Sequence, residues 1–284
     1  MPGIIFARNV EGRTMYPELL RIGDFVISSF GMMMVIAFLV GNYLLRRDMA
    51  LFNQEATLAD DLTFRAAIGG IVGAKLYYIV ENLRSGEGLD NLKGLWDILA
   101  GIFTFSLDKI TGGIHNFGAG MVFYGGFIGG LLAVTILVRK KKLYWKSVAD
   151  WIAPYLVLGH GIGRIGCFLV GDDYGLPTAL PWGIAFPNGV PPTIMPVHPT
   201  QLYEMTAYFL IFGYLFRKRR NKRFEGEIIY TYMILVGIAR FLVEFIRTNP
   251  KYIFFSGAQW ISLGMIIVGI TLIAVQRKTG KVRG

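Results

Sequence analysis

The 284-residue chain is poor in the residues that build metal and redox centres, with one cysteine, Cys167, and three histidines. A single cysteine excludes an intramolecular disulfide framework. The CxxC and HExxH patterns that are typical of zinc sites are also absent from the sequence. We therefore predict a protein that works without a bound metal or any other cofactor.

Charge is also scarce: 17% of the residues are charged, 54% are hydrophobic, and the mean hydropathy is +0.49. This composition is typical of a polytopic membrane protein and disfavours the alternative, a large soluble helical protein. Seven apolar runs are long enough to cross a hydrocarbon core of about 30 Å. They are residues 24–45, 63–82, 118–138, 148–169, 200–216, 227–246 and 257–276. We predict an all-α membrane protein with seven transmembrane helices in a single domain, residues 1–284.

Acidic residues are fewer than basic ones, 19 against 29, which gives a formal charge of +10. The basic residues cluster in alternate loops between the apolar runs, a pattern that indicates membrane topology and disfavours nucleic-acid binding. By this rule the N-terminus lies outside and the C-terminus is cytoplasmic. The N-terminus lacks the pattern of a cleavable signal peptide, so we expect the first span to target the chain. The basic loops follow the first, third, fifth and seventh spans, at residues 46–47, 139–146, 217–223 and 277–283.

Three segments should then lie outside: 1–23, 83–117 and 172–199. The last contains seven of the eleven prolines, which predicts an irregular loop. The second contains the 13-residue apolar stretch Leu95 to Leu107, which is too short to span comfortably and favours an interfacial or re-entrant element. We find no internal repeat, which argues against a secondary transporter.

Charged residues lie inside two of the predicted spans. Arg164 falls in the fourth, where a lone arginine at mid-membrane costs about 2.5–3.5 kcal/mol. In the sixth, Arg240, Glu244 and Arg247 share one helical face, so an inner ion pair leaves net positive charge for an anion. One interpretation is that Arg164 reaches the outer headgroups. The sharper interpretation is that the arginines bind a phosphate, because a guanidinium offers planar bidentate donors.

Two further groups of residues lie at the same side of the predicted bundle. Tyr124 lies in the glycine-rich stretch Gly118 to Gly130, where an aromatic membrane anchor is the alternative interpretation. His198 and Glu204 lie at the start of the fifth span, where Glu204 either makes buried polar contacts or caps a helix. The fourth span itself carries glycines that permit close approach of a lipid or of another helix: Gly159, Gly161, Gly163 and Gly166.

Several motifs together resemble the bacterial prolipoprotein diacylglyceryl transferases, and the resemblance covers nearly the whole chain. The fourth-span motif followed by HPTQLYE is highly specific. The resemblance implies seven spans, an external N-terminus and a cavity that faces the outer leaflet of the bacterial cytoplasmic (inner) membrane. The motifs are FG at Phe30, GAKLYY at Gly73 to Tyr78, MVFYGG at Met121 to Gly126, GRIGCFLVGDDYG at Gly163 to Gly175, HPTQLYE at His198 to Glu204 and ARFLVEFIR at Ala239 to Arg247.

The family's reaction transfers the diacylglyceryl group of phosphatidylglycerol to the lipobox cysteine thiol in the signal peptide of a prolipoprotein. Phosphatidylglycerol, these signal peptides and membrane lipids are therefore the implied partners. Arg164 and Arg240 match the family's essential arginines and would bind the lipid phosphate. A related transferase with a different phospholipid or acceptor is the alternative. The remaining implied substrate-binding residues are Gly166, Cys167, Asp172, Gly175, His198, Glu244 and Arg247.

The chain departs from the family at four positions. Many members have histidine where Tyr124 stands, asparagine at Cys167, glutamate at Asp172 and tyrosine at Val236. Cys167 is then better interpreted as a small packing residue than as a nucleophile, because the accepting thiol belongs to the substrate. Asp172 and its neighbour Asp173 could contact substrate, orient an arginine or cap the loop.

The departure at Tyr124 leaves the general base open. A tyrosine with an ordinary pKa near 10 is a poor base at neutral pH, whereas a histidine near 6.5 can accept a thiol proton. His160 lies one turn before Arg164 on the same helical face. We predict His160 as the catalytic base beside Tyr124, Arg164 and Arg240, and a histidine satisfied within the bundle is the alternative.

Overall fold

The computed structural model describes residues 5–6, 15–22, 25–83, 85–106, 108–109, 111–113 and 122–278. This part of the chain is mostly helical. The helices are α1 (Ser29–Met49), α2 (Ala56–Glu81), α3 (Glu87–Thr104), α4 (Phe123–Lys140), α5 (Trp145–Val170), α6 (Thr200–Lys218), α7 (Glu227–Val243) and α8 (Gly257–Lys278). The strands are β1 (Ile5–Phe6), β2 (Glu18–Ile22), β3 (Phe25–Ser28), β4 (Ile184–Phe186), β5 (Thr193–Val197), β6 (Lys251–Tyr252) and β7 (Phe255–Ser256).

Every apolar run that we predicted as a span overlaps one of these helices, and α3 lies between the second and third runs. Four helical segments of the described chain are long and apolar enough to cross a bilayer. These are Ser29–Phe52, Trp145–Val170, Glu227–Ile246 and Gly257–Lys278. The predicted helical, membrane-type fold is confirmed at this level.

The chain divides into two compact units, residues 56–145 and residues 1–55 with 146–284. In the first unit, α2 and α4 pack so closely that their contact admits only glycine. A Cβ atom on Gly73 would overlap the carbonyl oxygen of Gly125 and lie 2.7 Å from the Cα atom of Gly129. A Cβ atom on Gly69 would lie 2.7 Å from the carbonyl oxygen of Gly129. Close backbone approach of this kind is how helices associate in lipid, where tails are as apolar as the side chains.

In the second unit, α5 packs against α1 on one side and against α6 and α7 on another. The contact with α1 is built on Ala37, Leu158 and Ile162. The contact with α6 and α7 forms the main buried core of this unit. Its fully packed members are Ala153, Val157, Tyr208, Leu215, Ile228, Tyr232 and Val236.

The structure corrects two predicted boundaries and the description of one loop. Residues 25–28 form strand β3, and α1 begins one residue later because the Ser28 side chain accepts a hydrogen bond from the Gly31 N–H at 3.0 Å. The interfacial element that we predicted from Leu95 begins earlier, at Glu87, as helix α3. The 172–199 loop is more regular than predicted, since β4 and β5 form an antiparallel pair within it. A two-stranded sheet consists of edge strands, which tolerate Pro196 in β5.

Candidate active site

Four charged side chains converge where α5 ends, α6 begins and α7 ends. Arg164 lies near the end of α5, Glu204 lies in the first turns of α6, and Arg240 lies in the last turn of α7. A short 3-10 turn, Glu244–Ile246, follows α7 and leads to Arg247. All of them belong to the same unit, so the bundle itself fixes their spacing.

Glu204 is the centre of this group, with a side chain that is 0% exposed. Its Oε2 atom lies 2.8 Å from Arg164 Nε and 3.6 Å from Arg247 Nη1, and its Oε1 atom lies 2.6 Å from Arg240 Nη1. The Tyr208 hydroxyl lies 3.5 Å from Oε1. Of the two interpretations of Glu204, buried polar contact is therefore correct, and one carboxylate contacts three guanidinium groups.

Arg240 also pairs with Glu244, as the sequence predicts for residues four apart on a helix, with Nη2 and Oε2 separated by 3.0 Å. Glu244 is held from the other side, because Asn249 Nδ2 and Ser256 Oγ donate hydrogen bonds to its Oε1 at 2.7 and 2.8 Å. Arg247 Nε lies 3.6 Å from Glu244 Oε2. These contacts fix the orientations of Arg240 in α7 and of Arg247 directly after the 3-10 turn.

Asp173 completes the group. Its Oδ2 atom lies 2.7 Å from Arg164 Nη1 and its Oδ1 atom lies 2.5 Å from Arg247 Nη2. We name the six residues Arg164, Asp173, Glu204, Arg240, Glu244 and Arg247 the arginine cluster. The net positive charge that we expected from the arginines is offset in the structure, because Asp173 and Glu204 come from elements that are distant in sequence.

The two adjacent aspartates have different environments. Burial and the neighbouring Asp173 carboxylate raise the pKa of Asp172 above its ordinary value. Burial alone would raise the pKa of Asp173 as well, but Arg247 and Arg164 outweigh it and hold that pKa below its ordinary value. Of the three roles that we considered, Asp173 orients arginines, whereas Asp172 forms no ion pair within the described chain.

Cys167 is buried, and its Sγ atom lies 3.6 Å from Arg164 Nη1. Ligand atoms of Cys167, Asp172 and Asp173 lie within 4.8 Å of one another, a spacing that a metal ion could bridge. The Arg164 guanidinium already contacts both Sγ and the Asp173 carboxylate, so a cation there would meet a fixed positive charge. We therefore assign these groups to the arginine and propose no metal site.

The structure places the two candidate acid–base residues in different units. His160 is an exposed side chain on α5 whose ring centroid lies 5.7 Å from that of Tyr208 and 6.2 Å from that of Tyr232. Tyr208 in turn contacts Glu204, so the imidazole lies next to the arginine cluster. Tyr124 lies in the first turn of α4 with a side chain that is 55% exposed. The part of its motif before Val122 lies outside the described residues.

Three other predicted binding residues have structural contacts. A Cβ atom on Gly166 would lie 3.1 Å from the Phe30 Cα atom, so this glycine permits the contact between α1 and α5. Gly175 donates its N–H to the carbonyl oxygen of His198 at 2.9 Å, and a Cβ atom there would overlap the backbone of Ile246. His198 Nδ1 lies 3.3 Å from the Tyr203 hydroxyl. Gly175 and His198 thus connect the loop to α6 beside the arginine cluster.

Comparison with known proteins agrees with the motifs. The profile of the prolipoprotein diacylglyceryl transferase family matches residues 17–275. The chain belongs to this family. A phosphatidylglycerol–prolipoprotein diacylglyceryl transferase from Clostridium tetani is 32% identical over 268 residues, which cover 93% of this chain and 98% of the relative. The enzyme of the same name from Finegoldia magna is 37% identical over 225 residues, 77% of this chain and 78% of the relative. The protein is accordingly a transferase of lipoprotein biosynthesis.

Proposed function

We propose that this chain transfers the diacylglyceryl group of phosphatidylglycerol to the lipobox cysteine of a prolipoprotein signal peptide. The thiol sulfur attacks the glyceryl carbon that carries the phosphate, a thioether forms, and the carbon–oxygen bond to phosphate breaks. Glycerol phosphate leaves with the bonding electrons, and the thiol proton passes to a base. The observation that carries the proposal is the arginine cluster at the end of long apolar helices, in a chain whose relatives bear this enzyme's name.

Arg164 and Arg240 suit the lipid phosphate by position and chemistry. Both arginine side chains are about one-fifth exposed, at 20% and 21%, although the Glu204 side chain between them is fully buried. This partial exposure suits side chains that must also reach a lipid phosphate. Negative charge that develops on the departing phosphate is stabilised by such pre-oriented donors in a site of low dielectric.

In this proposal His160 is the base and Tyr124 is a hydrogen-bond donor to the lipid. His160 fits because it is an exposed residue of α5 that lies one turn from Arg164. The tyrosine that many family members have at position 236 has no counterpart here, because Val236 is buried in the core with Tyr232. The base must therefore come from another position.

We further propose seven spans, with the N-terminus and the 172–199 loop outside the cytoplasmic membrane and the 217–223 loop inside. Single cysteines at Ile194 and Arg220, both exposed positions, test this topology. An impermeant maleimide on intact cells should label Ile194→Cys and leave Arg220→Cys unlabelled. The unchanged chain, with its buried Cys167, measures the background. Labelling of Arg220→Cys in intact cells contradicts the topology.

The activity is tested with purified protein in vesicles that contain phosphatidylglycerol and a lipobox peptide. The expected product is a peptide whose mass increases by one diacylglyceryl group, together with glycerol phosphate. A peptide with serine in place of the lipobox cysteine, and vesicles of phosphatidylethanolamine alone, should give no product. Turnover of phosphatidylglycerol without peptide modification would instead support a related transferase with another acceptor.

A further inference from the structure

The three carboxylates of the arginine cluster differ in their access to solvent. Glu204 and Glu244 are 0% and 1% exposed, whereas the Asp173 side chain is 43% exposed. Three guanidinium groups face three carboxylates, so the cluster is neutral as it stands. Two of its anions are permanently enclosed, and the third lies at the open side.

Asp173 is bound through both oxygens to two different arginines. One oxygen contacts Arg164 at 2.7 Å and the other contacts Arg247 at 2.5 Å. A phosphodiester carries the same charge and also has two equivalent non-bridging oxygens, so it can form the same two contacts. The Asp173 carboxylate therefore has the charge and the pair of acceptors that a lipid phosphate would present.

Arg247 has additional buried donors that favour a ligand with more oxygens. Its Nε and Nη1 atoms are buried and have no hydrogen-bond acceptor in the described part of the chain. Their nearest carboxylate oxygens, on Glu244 and Glu204, lie at 3.6 Å, beyond hydrogen-bond distance. Buried donors of this kind cost free energy until an acceptor reaches them.

The backbone around Asp173 is held in place, so its side chain can leave without a loop movement. Thr200 Oγ1 donates to the Asp173 carbonyl oxygen at 2.6 Å, and Gln201 Nε2 donates to that of Asp172. Asp173 has a φ of +60°, a left-handed conformation that a short polar side chain tolerates. A rotation about the side-chain torsions alone would release both arginines.

We propose that Asp173 is an exchangeable counter-ion that occupies the phosphate position between Arg164 and Arg247 and is displaced by the phosphodiester of the bound lipid. This inference rests on the proposed function. The exchange replaces one monoanion by another and keeps the cluster neutral. The leaving glycerol phosphate is a monoester with more negative charge than the diester, so it gives the cluster an excess of negative charge. Return of the Asp173 carboxylate then favours product release.

The test measures lipid binding without the acceptor peptide. Short-chain phosphatidylglycerol is titrated by calorimetry into the purified full chain and into Asp173→Asn. The variant should bind roughly 2- to 10-fold more tightly, because the lipid no longer displaces two ion pairs. Unchanged or weaker binding overturns the proposal, and so does the absence of binding to either protein.

Asp172→Asn is the matched control, because it removes the same formal charge from the adjacent residue without removing a contact to an arginine. An equal gain in affinity for both variants would indicate a long-range charge effect and would overturn the exchange. In Asp173→Glu the carboxylate should still compete with the lipid phosphate, so the affinity should stay close to that of the wild type. Circular dichroism checks that all variants are folded. In steady state, Asp173→Asn should lower KM and should not raise kcat. A chain that binds the lipid as expected but transfers nothing refutes the proposed function and leaves this inference standing.

Discussion

The two ends of α5 both bury charged residues, but they do so in different ways. Near its beginning, Asp150 accepts hydrogen bonds from the N–H groups of Gly226, Ile228 and Ile229 at 2.8–3.0 Å and contacts Lys222 at 3.2 Å. Near its end, Arg164 shares the Glu204 carboxylate with Arg240 and Arg247, and two buried donors of Arg247 have no hydrogen-bond acceptor in the described chain. At the first end the buried charge is saturated with hydrogen bonds, whereas the second end has donors that could still bind an acceptor.

A second saturated ion pair, between Asp48 near the end of α1 and Arg219 directly after α6, follows the same rule. Asp48 accepts hydrogen bonds from the Tyr155 hydroxyl and from two nitrogens of Arg219, and all three side chains are buried. Arg219 also lies over the Phe216 ring, with 3.3 Å from Cζ to the ring centroid. A charge that is fully satisfied by protein groups has no role left for a ligand. Incomplete satisfaction and partial exposure therefore distinguish the arginine cluster, which we propose as the phosphate site, from these saturated pairs.

The sharpest test of this comparison replaces one arginine of the arginine cluster and one arginine of a saturated ion pair. Arg164→Ala should reduce transfer by about 1000-fold, because a pre-oriented donor to the departing phosphate is lost. The protein should still fold, since Arg240 and Arg247 continue to compensate Glu204. Arg219→Ala should instead cost about 3–5 kcal/mol of stability by leaving Asp48 buried and unpaired. Transfer assays and thermal unfolding of both variants provide the measurement.

Lysine at position 164 separates charge from shape. Arg164→Lys retains the charge but supplies a point donor in place of the planar fork that contacts Glu204 and Asp173 together. We expect turnover to remain far below wild type. Near-normal turnover would refute bidentate recognition of the phosphate.

At the saturated end, Asp150→Asn should destabilise the protein by about 3 kcal/mol, roughly 150-fold in the folding equilibrium. The substituted amide would place a donor against the Gly226 N–H or the Lys222 ammonium, which both now donate to Oδ2. The folded fraction should keep its KM and kcat, because the site lies at the other end of α5. A change in KM with no loss of stability would break the comparison.

Between the two ends, His160→Gln should reduce kcat by about 100-fold and remove the acidic limb of the pH–rate profile, as expected for loss of a general base. Tyr124→Phe should have a smaller effect on kcat, because a hydrogen bond to the lipid is lost and the base is retained. Full activity of His160→Gln with an unchanged acidic limb would show that the histidine is structural.

The smallest expected effect concerns pH. Because Arg247 and Arg164 hold the pKa of Asp173 below its ordinary value of about 3.9, its carboxylate stays ionised between about pH 5 and pH 8. The affinity ratio of Asp173→Asn to wild type should therefore be constant over this range and disappear only as the pH falls through that lowered pKa. The pKa of Asp172 is raised, so this carboxyl group titrates at a higher pH than Asp173. Repeating the comparison in an Asp172→Asn background removes the contribution of Asp172 to the pH dependence. A ratio that changes between pH 6 and pH 8 would contradict the assignment.

The sequence was most informative where the physical signal is local. Apolar runs of bilayer length predict the long helices, and the four-residue spacing of Arg240 and Glu244 predicts their ion pair, which the structure contains. It was least informative about partners that lie far apart in the chain. Glu204 carries a local signal, a charge inside an apolar helix, but its three arginines are brought together only by the packing of α5, α6 and α7.

The same limit applies to the loop and to the saturated end. Seven prolines predicted an irregular loop between residues 172 and 199, and the β4–β5 pair forms there because both of its strands are edges. Asp150 and Asp48 have no sequence feature that marks them as buried, since their partners lie more than 70 residues away. The sequence leaves three roles open for Asp173, and its position between Arg164 and Arg247 becomes visible only in the folded chain.

The glycine contact between α2 and α4 determines how the association of these two helices responds to solution conditions. Its backbones touch at Gly73 and Gly129, where no side chain intervenes, so the attraction depends on fitted shape rather than on exclusion of water. This backbone contact contains no charged group, so neither salt nor pH should change its strength. The helix pair as a whole remains sensitive to salt through the ion pair between Asp61 in α2 and Lys141, which directly follows α4, at 2.7 Å.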